Sequence, residues 1–596
     1  MKKILTTILL LLTVSTYAEE INVEKSLEDF DAYMAKILAD WNEPGAGVAI
    51  IHKDKLVYVK GFGYRDYGNK LPVTKNTLFQ IASNTKLFTA VAAGMLVEEG
   101  VFKWDEPIKN AVPELEFYND DLNNHVTLRD MLGHKTGISR HDMIWFQSDF
   151  NRKELFERTK YLEPSIPLRQ DFIYNNLMYS AVGYSIELRT GKTWEDYVTE
   201  KILKPLDMNH TVFSIAEMQK TKDYGVPYDE KRDSTELYKI DIKEDGAGVG
   251  PAGSIITNLE DLSHWVIALM NEGNYKNKNV IPQSIIYETL KPGIAFRNTQ
   301  LEEKGYAERL NSTYGMAREI EIYKGHVLTM HGGAMPGFHS QVIVLPYDDI
   351  GIVTFSIGNQ GARLGNTIIP YTLVDRLLDL EPTDWNERYL TDHLDRKELS
   401  KEGRSKAGFD LVENTSPTHS LESYSGKFTN EAYGEIIIEL KNDELFFNFR
   451  RTVLPLSHYH FNRFDTIHDE DFGKWSLNYN INPQGEISSA TVSIDEGQIT
   501  FIKKPDDSLS SLETLKQYVG KYEYAGSEIE LKIKDGKLIR IATPEEVLIP
   551  HKKNIFKLEK FADVQIEFVL KDKKVIAMQF KVPSGVYEYT KSIDGN

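Results

Sequence analysis

From residue 25 to residue 40 the apolar side chains Leu27, Phe30, Tyr33, Met34 and Ile37 recur at helical spacing and predict a helix. The stretch "GAGVAIIHKDKLVYVKGFGYRD" then reads as a strand, a polar turn and a second strand. "FQIASNTKLFTAVAAGMLVEEG" predicts a buried, alanine-rich helix that stops at Gly100. Helices and strands stay mixed as far as residue 380. At 384–420 the pattern changes. "DWNERYLTDHLDRKELSKEGRSK" is highly charged and "ENTSPTHS" is turn-forming, so this segment is read as a partly helical linker.

Beyond the linker the chain is strand-like and repeats itself. "LESYSGKF" at 421–428 returns as "LKQYVGKY" at 515–522, which sets Tyr424 and Tyr518 94 residues apart. "TVLPLSHYHFNRF" resembles "EEVLIPHKKNIFKL", with Leu454 and Leu548 again 94 apart. Two copies of one antiparallel unit are expected, each the size of a small closed β-barrel. The divisions read from the chain are 1–18, 19–383, 384–420, 421–505 and 511–592.

Composition narrows the setting. A chain of 596 residues with 41% hydrophobic and 11% aromatic positions is globular and too long for one core. Its net charge of −19 argues against nucleic acid and anionic lipid surfaces as partners. The start, "MKKILTTILLLLTVSTYAEE", has two lysines, a short apolar run and small residues before Glu19, the pattern of a secretory signal peptide cut after Ala18. No later stretch is long and apolar enough for a membrane helix, and there is no cysteine to carry a lipid anchor, a disulfide or a thiol nucleophile. A bacterial periplasmic or secreted protein is the expectation.

Candidate chemistry begins at Ser83-Asn84-Thr85-Lys86, at the start of the buried helix. Residues i and i+3 share a helix face, so Lys86 can point at the Ser83 hydroxyl. A desolvated, neutral lysine can take a serine's proton. The bland alternative is an N-cap serine with a solvated lysine one turn on. The stretch "LGHKTGIS" (132–139) contains a literal Lys-Thr-Gly. Its surroundings read as a helix end: Thr127 and Asp130 form a capping pair, Lys135 lies near the C-terminal dipole end, and Gly137 is the stop. Tyr275-Lys276-Asn277 reads as a polar turn. Two more patterns follow, Tyr174-Asn175-Asn176 and then His331-Gly332-Gly333.

In this order and at these spacings, Ser-x-x-Lys, Tyr-x-Asn and Lys/His-x-Gly resemble the class C β-lactamase and penicillin-recognising serine hydrolase superfamily, over residues 25–380. "PLDMNHTVF" (205–213) and "GPAGSIITNLEDLSHW" (250–265) are similar to that family's linking segments. The resemblance implies an α+β fold, an antiparallel sheet flanked by helices, here followed by two small antiparallel, lipocalin-like β-barrels. It implies Ser83 as the acylated nucleophile, with Lys86 and Tyr174 sharing the acid–base work. Asn176, with His331, Gly332 and Gly333, would bind the substrate, and His331 to Ala334 would form an edge strand beside the pocket. The backbone N–H groups of Ser83 and Ala334 would make the oxyanion hole. No metal or cofactor is implied.

The departure is His331, where penicillin-cleaving relatives carry lysine. A histidine is mostly neutral at pH 7 and charges at lower pH on its ordinary value. Its neutrality argues against strong hydrolysis of β-lactams or D-Ala-D-Ala. Histidine at that place occurs in D-aminopeptidases and in β-lactamase-like esterases, and D-aminopeptidases of the superfamily also carry two small barrels. The leading expectation is a secreted serine hydrolase cleaving a small amide, such as a D-aminoacyl or peptidoglycan-derived peptide. A carboxylesterase is the alternative, and a β-lactamase or DD-carboxypeptidase comes after it. A non-enzymatic sensor of penicillin or peptidoglycan fragments has against it the intact Ser83, Lys86 and Tyr174. Oligomeric state is not readable.

Overall fold

The computed structural model describes residues 21–592 except 243–246, 296–306, 359–362, 468–472, 495–496, 543 and 559–560. The expected signal peptide lies outside the described residues. The strand read at 45–52 is β1 (Gly45–His52), and the strand after it is β2 (Lys55–Asp66). With β3 (Leu71–Pro72), β4 (Ile294–Ala295), β5 (Arg309–Tyr314), β6 (Glu319–Tyr323), β7 (His326–Met335), β8 (Phe338–Leu345) and β9 (Ile350–Ile357) they form one antiparallel sheet. The order is β4-β5-β6-β7-β8-β9-β1-β2-β3.

Both faces of this sheet are covered, which is why β1 reads as an unbroken apolar run rather than an alternation. Ala46, Val48 and Ile50 face a core with Phe30, Met34 and Ile37 of helix α1 (Phe30–Asp40). Ala49 and Ile51 face the opposite core, with Phe88 of α2 (Thr85–Glu98) and Trp265 of α4 (Leu259–Met270). The helix read at 25–40 is interrupted: Val23–Ser26 is a separate turn, and Asp29 in a left-handed conformation (φ 59°) starts α1 afresh. Helix α3 (Asn176–Thr190) lies with α2 in the helical layer. The helix after the sheet, α5 (Ile369–Leu377), contributes Tyr371, Leu373 and Val374 to the α1 side.

The charged linker is helical over Trp385–Ser405, α6, and its first turns belong to the sheet-and-helix body. Trp385 is fully buried against Tyr323 and Tyr371, and Trp41 Nε1 donates to Asn386 Oδ1 at 2.8 Å. A cut near residue 383 would therefore remove part of that core.

The repeat is two closed eight-stranded antiparallel barrels, Gly426–Lys503 and Gly520–Lys591. Tyr424 and Tyr518 hold equivalent places: each is buried, and each hydroxyl donates to an asparagine, Asn462 and Asn554. Glu486 of the first barrel meets His551, Lys552 and Lys557 of the second at 2.7–3.1 Å. No helix among the described residues is long and apolar enough to cross a membrane.

The first barrel is seated on the sheet-and-helix domain, against residues 139–150. Arg450 donates to the carbonyls of Met143 (3.3 Å) and Ile144 (3.0 Å), stacks on Phe150 and is tied to Tyr433 O at 2.7 Å. Tyr433 OH pairs with His141 Nδ1 at 2.7 Å. These contacts fix the loop 139–150. Arg450→Ala is expected to lower kcat/KM about tenfold, by the ~1–2 kcal/mol that such charge-assisted bonds contribute. Steady-state kinetics check this; unchanged kinetics would make the barrel an appendage.

Candidate active site

Ser83 sits in a single 3-10 turn, Ala82–Asn84, at the mouth of α2. The turn is held from behind: Ser340 Oγ on β8 donates to Ile81 O (2.8 Å) and accepts from Asn84 Nδ2 (2.8 Å), while Ile81 N donates to Ile255 O (3.0 Å). Ala82 has φ 46°, a left-handed conformation costly for alanine that persists because its surroundings impose it. The conformation presents Ser83 outward, where it keeps partial exposure while its neighbours on both sides are buried.

One turn into α2, Lys86 is fully buried. Its Nζ donates to Ser83 Oγ at 3.0 Å, Asn176 Oδ1 at 2.7 Å and Ala252 O at 2.8 Å. Ala252 belongs to the "GPAG" segment singled out in the sequence, which α2 grips through Thr89 Oγ1 to Pro251 O (2.7 Å) and Ile255 N to Thr85 Oγ1 (3.1 Å). The lysine also lies 4.9 Å from the ring centre of Tyr174. The Tyr174 hydroxyl lies close enough to Ser83 to feel it, and burial holds its pKa above the ordinary value against the pull of Ser83 and of Arg140. Arg140 covers the Tyr174 ring at 4.9 Å.

The Lys-Thr-Gly stretch has a different role from the helix end read in the sequence. Thr127 and Asp130 do make the capping box, but the helix closes at Gly133; Gly137 (φ 79°) lies in the following loop. His134, fully buried and left-handed (φ 56°), brackets Tyr174. Its carbonyl accepts from Ile173 N (3.0 Å) and its Nδ1 from Asn175 N (3.1 Å), and its ring lies 4.2 Å from that of Tyr174. Accepting at Nδ1 makes it the neutral Nε2-H tautomer, and burial pulls its pKa well down. The motif thus supplies the back wall of the tyrosine. Tyr275-Lys276-Asn277 is the turn it was read to be, with φ 47° and 61° at Lys276 and Asn277.

Asn176 opens α3 with both ends of its amide engaged: Oδ1 takes Lys86, and Nδ2 donates to Asp142 Oδ1 at 3.0 Å. Asp142 also accepts from Trp145 Nε1 (2.9 Å) and Arg140 Nε (2.7 Å). These bonds orient the Asn176 amide and leave the second Nδ2 hydrogen unused by them. His134, Arg140 and Asp142 were not singled out for the site by the sequence; His134 was visible inside a motif read as structural, and nothing local marks the other two.

His331 lies on β7, which is an interior strand of the sheet, not the edge strand expected. The pairing explains the difference. β6 pairs with β7 only as far as Met330, so His331 to Met335 overrun it and keep one free side, bonded to β8 alone. A side chain at Gly333 would collide with the Ile81 carbonyl, so glycine lets β7 approach the serine turn. A side chain at Gly332 would instead meet Gln341 and Asn366 on the other face. Ala334, next along, is exposed. His331 is buried, its Nδ1 donating to Gly332 O (2.7 Å) and its Nε2 accepting from Tyr314 OH (2.9 Å). Burial, with Lys86 nearby, pulls its pKa down to about 3. So held, the ring stays neutral at pH 5.5, where an imidazole at its ordinary value would be largely charged.

A family model described as Beta-lactamase matches residues 30–373, and the Domain of unknown function DUF3471 matches 411–505. Among curated relatives, an Unguisins hydrolase of Aspergillus campestris is 26% identical over 432 residues, covering 69% of this chain and 77% of its own. The flp protein of Staphylococcus aureus is 27% identical over 356 residues, 59% of this chain and 66% of its own. The solved penicillin-binding protein homologue from Pyrococcus abyssi matches with a TM-score of 0.53 at 20% identity, covering 81% of this chain and all of that one, a likeness of fold. With the sheet-and-helix body and its serine turn on one side and the family match across more than half of the chain on the other, the protein belongs to the β-lactamase family and is a serine hydrolase of it.

Proposed function

We propose that the enzyme cleaves small amides, D-aminoacyl peptides first among them, through an acyl-enzyme on Ser83. The observation that carries this reading is the placing of Ser83 Oγ between Lys86 Nζ at 3.0 Å and the Tyr174 hydroxyl. Lys86 gives three donors to three acceptors, the number an ammonium fills. As an ammonium it leaves the serine's proton to the Tyr174 phenolate, a minority form that the charges of Lys86 and Arg140 favour. The carbonyl carbon bonds to Ser83 Oγ, and the tyrosine returns its proton to the leaving amine. Water repeats the path in deacylation. The N–H groups of Ser83 and Ala334 receive the oxyanion.

The neutral His331 supports substrates with no carboxylate at that subsite. The two barrels support the peptidase over the esterase, as an analogy of architecture with D-aminopeptidases. A panel of D- and L-aminoacyl anilides, p-nitrophenyl esters and nitrocefin tests this. The D-anilides are expected to have the highest kcat/KM; faster ester turnover overturns the amide reading.

His331→Lys is expected to raise the kcat/KM ratio of a carboxylate-bearing peptide to an uncharged ester about tenfold. A charge pair some 4 Å apart interacts by a few kcal/mol before desolvation, and repulsion from Lys86 consumes part of it. In the wild type the ratio should not move between pH 7 and 5.5, because a histidine whose pKa is held near 3 stays neutral throughout. A shift with pH, or none with the mutation, removes His331 as the determinant.

The same reading places the enzyme outside the cytoplasm, on its N-terminal pattern alone. Intact mass of the exported protein is expected to give Glu19 as first residue; an uncut Met1 refutes export by this signal.

A further inference from the structure

Arg318 is 3% exposed, and among the described residues no carboxylate pairs with it. Nη1 donates to Thr329 Oγ1 at 3.3 Å, while Nε and Nη2 have no acceptor. The other arginine buried to a similar degree, Arg152, is paired with Glu187 and Glu195. The adjacent acid, Glu319, cannot serve. Glu319, the first residue of β6, interacts with Glu321 and Arg309 instead. Burial lowers the pKa of Arg318 only to about 10, so it remains a cation at neutral pH. An isolated buried charge is strongly unfavourable unless something compensates it.

The guanidinium lines a cavity of about 20 Å³ with Asn84, Leu87, Trp265, Thr329 and His331. Glu319 stands opposite Met330 and Ile320 opposite Thr329, a register that sets Arg318 beside His331. That volume holds one water or one ion of similar size. The polar groups around it are mostly donors. Three arginine N–H bonds, one on Nε and two on Nη2, are uncommitted, the Thr329 hydroxyl accepts from the arginine and keeps its own hydrogen, and Asn84 Nδ2 uses one hydrogen on Ser340. His331 is neutral with both ring nitrogens engaged. Converging donors around one uncompensated positive charge match a species that only accepts and is negative.

We propose that this cavity is a binding site for a small monovalent anion, chloride or an ion of its size, held by Arg318 and Thr329 behind the third motif. Through Asn84 and His331 the ion would brace the serine turn and β7, the two elements that flank Ser83. The site does not depend on which substrate the enzyme takes.

The test uses the full chain. The melting temperature is measured in sodium chloride or bromide against sodium gluconate at equal ionic strength. Halide is expected to raise it by about 1–3 °C per tenfold concentration above the dissociation constant. Arg318→Met, which keeps the length without the charge, should abolish the halide response. Arg318→Lys, which keeps the charge, should retain it at higher concentrations, so a poorly folded methionine variant does not leave the question open. Crystals soaked in bromide should show anomalous density beside the guanidinium. Equal melting in halide and gluconate overturns the proposal, with or without a bromide peak, since a peak alone would be binding at crystal concentration only. A halide response that survives in Arg318→Met also overturns it.

Discussion

Ser83→Ala is expected to lose at least about 10³-fold in kcat and all labelling by a fluorophosphonate, with its melting temperature nearly unchanged. The size of the loss follows from what stays behind. Lys86, Tyr174 and the backbone donors would still bind substrate, but nothing could form the acyl-enzyme. Stability should survive because Ser83 keeps partial exposure, and the turn is held by Ser340, Asn84 and Ile255 rather than by its own side chain. Lys86 would retain Asn176 and Ala252 as acceptors. The informative control is Ser139, the serine beside the Lys-Thr-Gly stretch. Its hydroxyl is paired with Ser165 Oγ at 2.6 Å, and its carbonyl accepts from Asn175 Nδ2. Mass spectrometry of the labelled wild type should find one adduct, on the peptide carrying Ser83. An adduct on Ser139 would overturn the assignment.

How much of this was legible in the sequence depends on how far apart the partners lie. The Ser83–Lys86 pair is written in one helical turn, so the spacing alone carries it. The barrels were legible because the chain says the same thing twice, down to the equivalent burial of Tyr424 and Tyr518. The sheet order was not legible: β1 lies between β2, its neighbour in sequence, and β9, which follows some three hundred residues later. A strand buried on both faces has no alternation to say what covers it. The free side of β7 was misplaced because it comes from the length of β6, not from any feature of "HGGA". His134 was hidden by a motif that also spells a helix end, and its bond to Asn175 spans 41 residues. Asp142, which fixes Asn176 from the loop under the first barrel, has no local signature. Arg318 looks like any arginine until its burial is known.

Tyr174→Phe separates proton carrier from scaffold. The phenylalanine ring would keep every packing contact of the tyrosine: His134 at 4.2 Å, Arg140 on one side at 4.9 Å, and Lys86 at 4.9 Å. The backbone clamp from His134 to residues 173 and 175 does not involve the hydroxyl. Only the oxygen facing Ser83 disappears, so kcat is expected to fall about 10²-fold or more while KM and melting temperature change little. The pH profile gives the sharper reading. Burial holds the phenol's pKa above its ordinary value, so the resting tyrosine is neutral at pH 7 and the phenolate that accepts the serine proton is a minority form. Below that raised pKa the phenolate fraction grows tenfold for each pH unit. Wild-type kcat/KM should therefore climb from pH 6 toward the alkaline side, with no inflection from His331, which is already neutral there. The phenylalanine variant should lose the climb as well as the rate, because its residual turnover has no phenolate to populate. If the variant keeps wild-type kcat, Tyr174 is scaffold. If it is slow but still climbs with pH, the titrating group is Lys86, and the lysine, not the tyrosine, takes the proton from Ser83.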